Sequence, residues 1–303
     1  MPKINYFDIA WFSTVDGPGT RVVLYLSGCN LRCPWCHSPH SWNKTSPLLY
    51  FEHTCLLCGA CVNACTQGVH SIRDNKHIID RNKCIKCSSC IEACPSSNSK
   101  SWNGSTLGFA GTEIDVNELY KILKPQLSLL HNIGGLTISG GDPILQSKSL
   151  AKLLELCIQD NFHTTVETSA SSSKSNIQEL IPFVNHWLIG LRPSLIDKSE
   201  DWEQVLENIK ILATVNAENI TVRTPIIPGY TNSIECYSKI KNVMILNKIK
   251  FLELLPFNSY GENYYRALGE EYILKNATLI SDKELSEAKK YFLSNRINVG
   301  IVN

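Results

Sequence analysis

The chain has 303 residues, 43% of them apolar, with 29 Lys and Arg against 28 Asp and Glu. That length supports one large domain or a barrel with an insertion, and the even charge balance gives no field that draws the protein to nucleic acid or an anionic membrane. No apolar run approaches the roughly 18 residues of a membrane span, and the start Met1-Pro2-Lys3-Ile4-Asn5 lacks the apolar core of a signal peptide. A cytoplasmic protein is expected. Of 13 cysteines, all but Cys157 and Cys236 lie between Cys29 and Cys94, in spacings that suit metal ligation in a reducing setting. Cys157 and Cys236 fall within predicted helices and read as core residues.

Residues 5–20 read as a turn-rich lead-in containing Asp16-Gly17-Pro18-Gly19. Val22-Val23-Leu24-Tyr25-Leu26 follows as a buried strand. It delivers Gly28-Cys29-Asn30-Leu31-Arg32-Cys33-Pro34-Trp35-Cys36-His37. Three thiolates spaced C-x3-C-x2-C hold three irons of a 4Fe-4S cube and leave the fourth iron open. The competing reading is a zinc knuckle with His37 as fourth ligand.

From about 51 to 104 the character changes. Cys55, Cys58, Cys61 and Cys65 repeat in spacing as Cys84, Cys87, Cys90 and Cys94-Pro95, the pattern of a bacterial ferredoxin with two cubes. In that pattern the fourth Cys of each run serves the other cluster. The expected ligand sets are therefore Cys55, Cys58, Cys61 and Cys94 for one cube, and Cys84, Cys87, Cys90 and Cys65 for the second. Thr66 stands where the first run would carry its proline. Two structural zinc sites are the alternative. Residues 96–105, polar and Gly-containing, read as the seam where this insert rejoins its parent domain.

Beyond the insert, helices are predicted from 115 to about 131 with a bend at Pro125, then at 147–160, 176–183, 200–214, 233–247 and 282–295. Strands alternate with them at 135–139, 163–167, 187–191, 220–224 and 251–255, and a short apolar run ends the chain. Such alternation argues a parallel sheet with right-handed crossovers. With the strand at 22–26 it gives about six βα units, an α/β partial barrel over 1–50 and 105–303.

The C-x3-C-x2-C loop with Trp35 before its last Cys resembles the radical S-adenosylmethionine (SAM) superfamily. Preceded by Asp16-Gly17-Pro18-Gly19-x-Arg21, it resembles the glycyl-radical-enzyme activating enzymes, typified by the pyruvate formate-lyase activase. The resemblance runs from Asp16 to Leu268-Gly269 and implies a partial (β/α)6 radical SAM barrel carrying the ferredoxin insert. It implies SAM chelating the open iron, cleaved by one electron to methionine and a 5'-deoxyadenosyl radical that abstracts hydrogen. Ser139-Gly140-Gly141-Asp142-Pro143 resembles the family's Gly-Gly-Glu-Pro, which makes Asp142 the acceptor of the SAM ammonium, one methylene short. Glu167-Thr168-Ser169 matches an acid-Thr segment and places Thr168 at SAM. Gly190 and Arg192 stand where relatives carry Asp-x-Lys, beside a monovalent cation. Arg223 matches an arginine for the SAM carboxylate or ribose, and Asn258 replaces a His facing adenine or ribose. Trp35 is a further SAM contact, and Asp16 belongs to the loop facing the protein substrate.

The implied function is activation of a partner enzyme by removing hydrogen from a backbone glycine, with three 4Fe-4S clusters and SAM as cofactors. Flavodoxin or ferredoxin is the expected electron donor, and the insert the expected electron conduit, with docking of the partner as its rival role. Two other functions stand beside it. One is a radical SAM enzyme acting on a peptide or small molecule; the other is a ferredoxin-type electron carrier without SAM chemistry.

Overall fold

A computed structural model describes residues 2–98, 102–193 and 200–302. The chain begins with β1 (Lys3–Ser13) and β2 (Thr20–Leu26). It continues through β3 (Leu48–Tyr50), α1 (Ala60–Ala64), β4 (His70–Arg73), β5 (Lys76–Ile79), α2 (Ser89–Glu92) and β6 (Leu107–Phe109). Next come β7 (Thr112–Asp115), α3 (Val116–Leu129), β8 (Gly134–Gly140), α4 (Ser147–Gln159), β9 (His163–Thr168), α5 (Lys174–Leu180) and β10 (His186–Gly190). The last elements are α6 (Glu200–Asn216), β11 (Ile220–Ile226), α7 (Ile234–Leu246), β12 (Phe251–Pro256), α8 (Glu262–Leu268), α9 (Asp282–Leu293) and β13 (Asn298–Ile301).

One nine-stranded sheet, in the order β13-β12-β11-β10-β9-β8-β2-β1-β7, carries the fold. From β2 to β13 the neighbours are parallel. The final apolar run thus adds a parallel strand to the six expected, and the linear order leaves the barrel open. β1 corrects the sequence reading, which took residues 5–20 as a turn-rich lead-in. It is an 11-residue strand antiparallel to β2. Register shifts between Tyr6 and Asp8 and between Ala10 and Ser13 break its alternation, and bulges of this kind blur the period of two on which a strand is recognised.

Helices cover the outer face. Leu119, Leu123 and Leu127 of α3 and Leu150, Leu153 and Leu154 of α4 share one buried cluster with Val22, Leu24, Leu136 and Ile138 of the sheet. Asp115 caps α3 by accepting from the amides of Asn117 and Glu118. The helix runs through Pro125, whose position on the exposed face lets the carbonyl it leaves unpaired turn to solvent. Arg21 is buried within the sheet, where its guanidinium donates to the carbonyls of Pro18, Leu136 and His163 and the hydroxyls of Thr137 and Thr165. It clips the 16–19 turn to the ends of β8 and β9. Among the described residues no helix is long and apolar enough to cross a membrane.

β3 and β6 pair antiparallel, Leu48 opposite Phe109, and enclose the cysteine-rich segment. Of the 96–105 seam, residues 99–101 lie outside the described residues; beside them the Thr106 amide donates to the Ser96 carbonyl. Arg81 ties the segment to the body, donating to the carbonyls of Leu48 and Ala267 at 2.9 and 2.7 Å.

Candidate active site and cluster sites

The C-terminal ends of the parallel strands surround a cavity of about 340 Å³, with Cys29, Cys33 and Cys36 on one wall. The cysteine loop is closed at its neck, where the Gly28 and Cys29 amides donate to the carbonyls of Ser41 and Trp42. Burial pushes the Cys29 thiol up to about 12 and Cys36 to about 11, so metal binding here must displace protons. Trp35 is buried against Ile227, Phe257 and Tyr265 and crosses the ring of Tyr230 at 5.4 Å. It anchors the loop as well as lining the cavity. His37 Nε2 faces the Asn258 carbonyl at 3.1 Å, a contact that occupies the nitrogen a zinc reading would need.

The Gly140-Gly141 turn lies backbone to backbone against this loop. The Gly141 amide donates to Leu26 O and the Asp142 amide to Gly28 O. A Cβ at Gly141 would stand 2.2 Å from Gly28 O, and one at Gly140, where φ is +119°, 2.4 Å from the Leu26 backbone. Only glycine permits that approach.

Asp142 departs from expectation. It is 2% exposed and does not line the cavity. Its carboxylate accepts from the Ile144 amide, the Thr168 hydroxyl at 2.7 Å and the Ser169 hydroxyl at 2.5 Å. With one methylene fewer than Glu it caps the turn at residues 143–146 and ties β8 to β9. Thr168 lines the cavity, but its hydroxyl proton is given to Asp142. Asn258 is absent from the cavity wall as well; its side chain accepts from the Tyr260 amide at 3.2 Å and closes a local turn.

The polar floor is built by residues that point inward from the strands. Arg223, from β11, meets Glu253 Oε2 at 2.7 Å, Glu167 Oε1 at 3.3 Å and Asp16 Oδ1 at 3.4 Å, and donates to the Val15 carbonyl. Burial opposes its charge, but Glu167, Glu253 and Asp16 outweigh burial and hold it firmly protonated. Burial likewise pushes Glu167 up, yet Arg223, the Ser139 hydroxyl and Arg192 keep it below the ordinary carboxylate range. The charged side chains that line the cavity balance, Asp16 and Glu167 against Arg192 and Arg223, which suits a ligand carrying both signs of charge. Arg223, expected at the SAM carboxylate or ribose, lines the cavity while holding these partners. Arg192 lines the cavity, where it acts electrostatically on Cys33 and Cys36. Its Nη1 donates to Gly190 O at 2.6 Å and would stand 2.3 Å from a Cβ at that glycine. The guanidinium thus fills the space that an acid at 190 would take. Arg192 Nε is buried with no partner among the described residues.

Sequence reasoning did not single out Glu253, Ser139 or Tyr25. The available signal was a polar residue interrupting an apolar strand, as in Phe251-Leu-Glu-Leu-Leu-Pro256.

In the insert, Cys55, Cys58, Cys61 and Cys94 line one pocket, and Cys65, Cys84, Cys87 and Cys90 line a second. The structure thus brings together the two quartets named from the spacing, each drawing one cysteine from the other run. The runs repeat in backbone as well. Leu57 and Lys86 share left-handed φ of 53° and 60°, and Gly59 and Ser88 share 76° and 68° ahead of α1 and α2. Cys58 and Cys87 are exposed, Cys61 and Cys90 buried.

Comparison with known proteins places this geometry. The family described as "4Fe-4S single cluster domain" matches residues 15–219. The chain is 32% identical to the 4-hydroxyphenylacetate decarboxylase activating enzyme of Clostridioides difficile, over 96% of this chain and 93% of that one. It is 31% identical to the indoleacetate decarboxylase activating enzyme of Tractidigestivibacter scatoligenes, covering 93% and 92%. It is 29% identical to the choline trimethylamine-lyase activating enzyme of Oleidesulfovibrio alaskensis, covering 95% and 94%.

Proposed function

The chain belongs to the glycyl-radical-enzyme activating enzymes of the radical SAM family, and from that premise we propose how its own residues divide the work. The observation that carries the reading is the three-cysteine wall of a cavity that Asp16, Glu167, Arg192 and Arg223 also line. When loaded, the centre supplies reductive cleavage of SAM and a 5'-deoxyadenosyl radical that takes hydrogen from a backbone glycine of the partner enzyme. Cys29, Cys33 and Cys36 hold the cluster. Glu167, ionised and facing the cavity, takes the ammonium role expected of Asp142. Arg192, which lines the cavity, takes the SAM carboxylate. Gly140 and Gly141 set the depth of the site, and Trp35 closes its side. Asp16, held by Arg223, lies on the loop that the glycine-bearing segment meets.

Residues 1–50 and 105–303 form the radical SAM partial barrel, and 51–104 a ferredoxin-like insert with two further 4Fe-4S clusters on the quartets described above. Two pockets with four cysteines each support that number. The insert passes electrons from flavodoxin or ferredoxin toward the cavity. Family membership favours the glycyl-radical partner over a peptide or small-molecule substrate, and over electron transfer alone. Anaerobically reconstituted, reduced protein mixed with SAM is the test: it yields 5'-deoxyadenosine and methionine. Adding its glycyl-radical enzyme partner yields the glycyl radical signal in electron paramagnetic resonance. No 5'-deoxyadenosine from protein carrying its full iron refutes the reading.

A further inference from the structure

A pair of histidines connects the two cysteine quartets of the insert. β4 and β5 form a hairpin in which Ile72 faces His77 and His70 faces Ile79, so His70 and His77 are diagonal neighbours on one face. The tight turn between them holds Asp74 and Asn75 at φ of 48° and 57°, which fixes that register. His70 Nδ1 and His77 Nε2 are 2.9 Å apart. His77 lines the first pocket and His70 the second.

Both ring nitrogens of His77 face sulfur of the first quartet. Nδ1 is 3.8 Å from Cys55 Sγ and Nε2 is 3.6 Å from Cys61 Sγ. With His70 Nδ1–H donating to His77 Nε2, the His77 proton sits on Nδ1 and faces Cys55 Sγ, a sulfur that becomes a thiolate when a cluster is bound. Tyr50 packs edge-on against its ring at 4.6 Å, and the bond to His70 stops the ring from turning away. His70 is 4% exposed, and its Nε2 is buried without a partner among the described residues. Hydrogen bonds to cluster sulfur stabilise the more negative, reduced state and raise the reduction potential.

We propose that His77, locked by His70, donates a hydrogen bond to the Cys55 thiolate of the first insert cluster and sets that cluster's reduction potential above that of the second. This rests on the reading of the insert as a two-cluster module and gives that module a direction. An electron supplied by a one-electron donor protein to the second cluster runs downhill to the first, with no proton gained or lost. His77 is a positioning residue in this scheme, and its effect is on the cluster and not on SAM.

The test uses the full chain with Cys29, Cys33 and Cys36 replaced by Ala, so that the insert clusters alone are observed. Iron and sulfide are counted first, and a redox titration followed by electron paramagnetic resonance then measures the two potentials. With His77→Phe the higher potential falls at least tenfold in its reduction equilibrium, about 59 mV for one electron, and the lower moves far less. His77→Gln, which retains an N–H donor, restores most of the gap, and His70→Phe gives an intermediate value. Full iron with both potentials unmoved in His77→Phe overturns the bridge while leaving the two-cluster reading intact. Equal potentials in the parent overturn the proposed direction. Absence of insert iron overturns both readings, and the iron count tells that case from the others.

Discussion

The cysteine loop at the mouth of the barrel and the two quartets of the insert use one residue type for opposite purposes. In the barrel three thiols share a 340 Å³ cavity with the charged side chains of Asp16, Glu167, Arg192 and Arg223 and with apolar ones such as Trp35, Ile227 and Phe257. In the insert four thiols line each pocket, enough to give every iron of a cube a protein ligand. An incomplete ligand set beside a large cavity makes a reactive centre; a complete set leaves a carrier. The backbone follows the same division. The barrel loop is held by glycines pressed against a neighbouring chain segment, whereas the insert repeats its own left-handed turns twice.

The sharpest way to break this comparison is to remove one cysteine from each side. Cys33→Ala abolishes 5'-deoxyadenosine formation with any reductant. Cys58→Ala or Cys87→Ala abolishes it with flavodoxin or ferredoxin but retains much of it with a small chemical reductant. Iron analysis accompanies the assay: roughly twelve irons per chain in the parent and roughly eight once the barrel cluster is lost. Equal loss with both donors in folded, SAM-binding Cys58→Ala protein would assign the insert to docking and not to conduction.

Acid sharpens the comparison next. His40, beneath the barrel loop, is buried among Phe7, Tyr264 and Trp102, and its two nitrogens have no partner among the described residues. Burial pushes its pKa down to about 4. An unfolded chain takes up that proton near 6.5, so the stability present above pH 6.5 is lost as pH falls toward 4, by about 3 kcal/mol. His40→Phe flattens that part of a stability–pH profile measured by denaturant unfolding. An unchanged slope would show that His40 is not the group responsible.

Glycine substitutions give a smaller contrast. Gly141→Ala must move either the cysteine loop or the turn, costing about 1–3 kcal/mol and weakening SAM binding by calorimetry. Gly59→Ala meets nothing within 4 Å, so only its left-handed φ is strained, at about 1 kcal/mol. Ser88 already tolerates the matching position. The least perturbing test is alkylation of metal-free protein. Exposed Cys87, its thiol lowered by hydrogen bonds from Ser89, reacts first, and Cys29, raised by burial, reacts late. Mass spectrometry of digests reads the order.

The cysteine quartets were legible because cluster ligation fixes spacing along the chain. The parallel strands were legible because burial on both faces makes short apolar runs. What the sequence hid was direction. Nothing in Gly-Gly-Asp-Pro says that an Asp, too short for the cavity, turns back to Thr168 and Ser169. Nothing in Leu-Pro-Phe-Asn says that Asn258 folds onto Tyr260. Ser139 joins the cavity wall, and Glu253 comes to hold Arg223, only once strands far apart in sequence lie side by side. The histidines at 70 and 77 read as ordinary polar positions until the hairpin register brings them together. β1 escaped because its bulges erase the alternation that marks a strand.

The pairing of β3 with β6 has an architectural consequence. The chain leaves the barrel at Leu48 and returns at Phe109 as hydrogen-bonded neighbours, so the segment between them adds little to the entropy of closing the surrounding fold. A gene could acquire or lose this cassette without rethreading any barrel strand. Among the ties to be rebuilt would be those of Arg81 to Leu48 and Ala267 and of Trp102 to the Phe7 carbonyl. The cysteine-rich segment and the barrel are thereby separable units of inheritance within one chain.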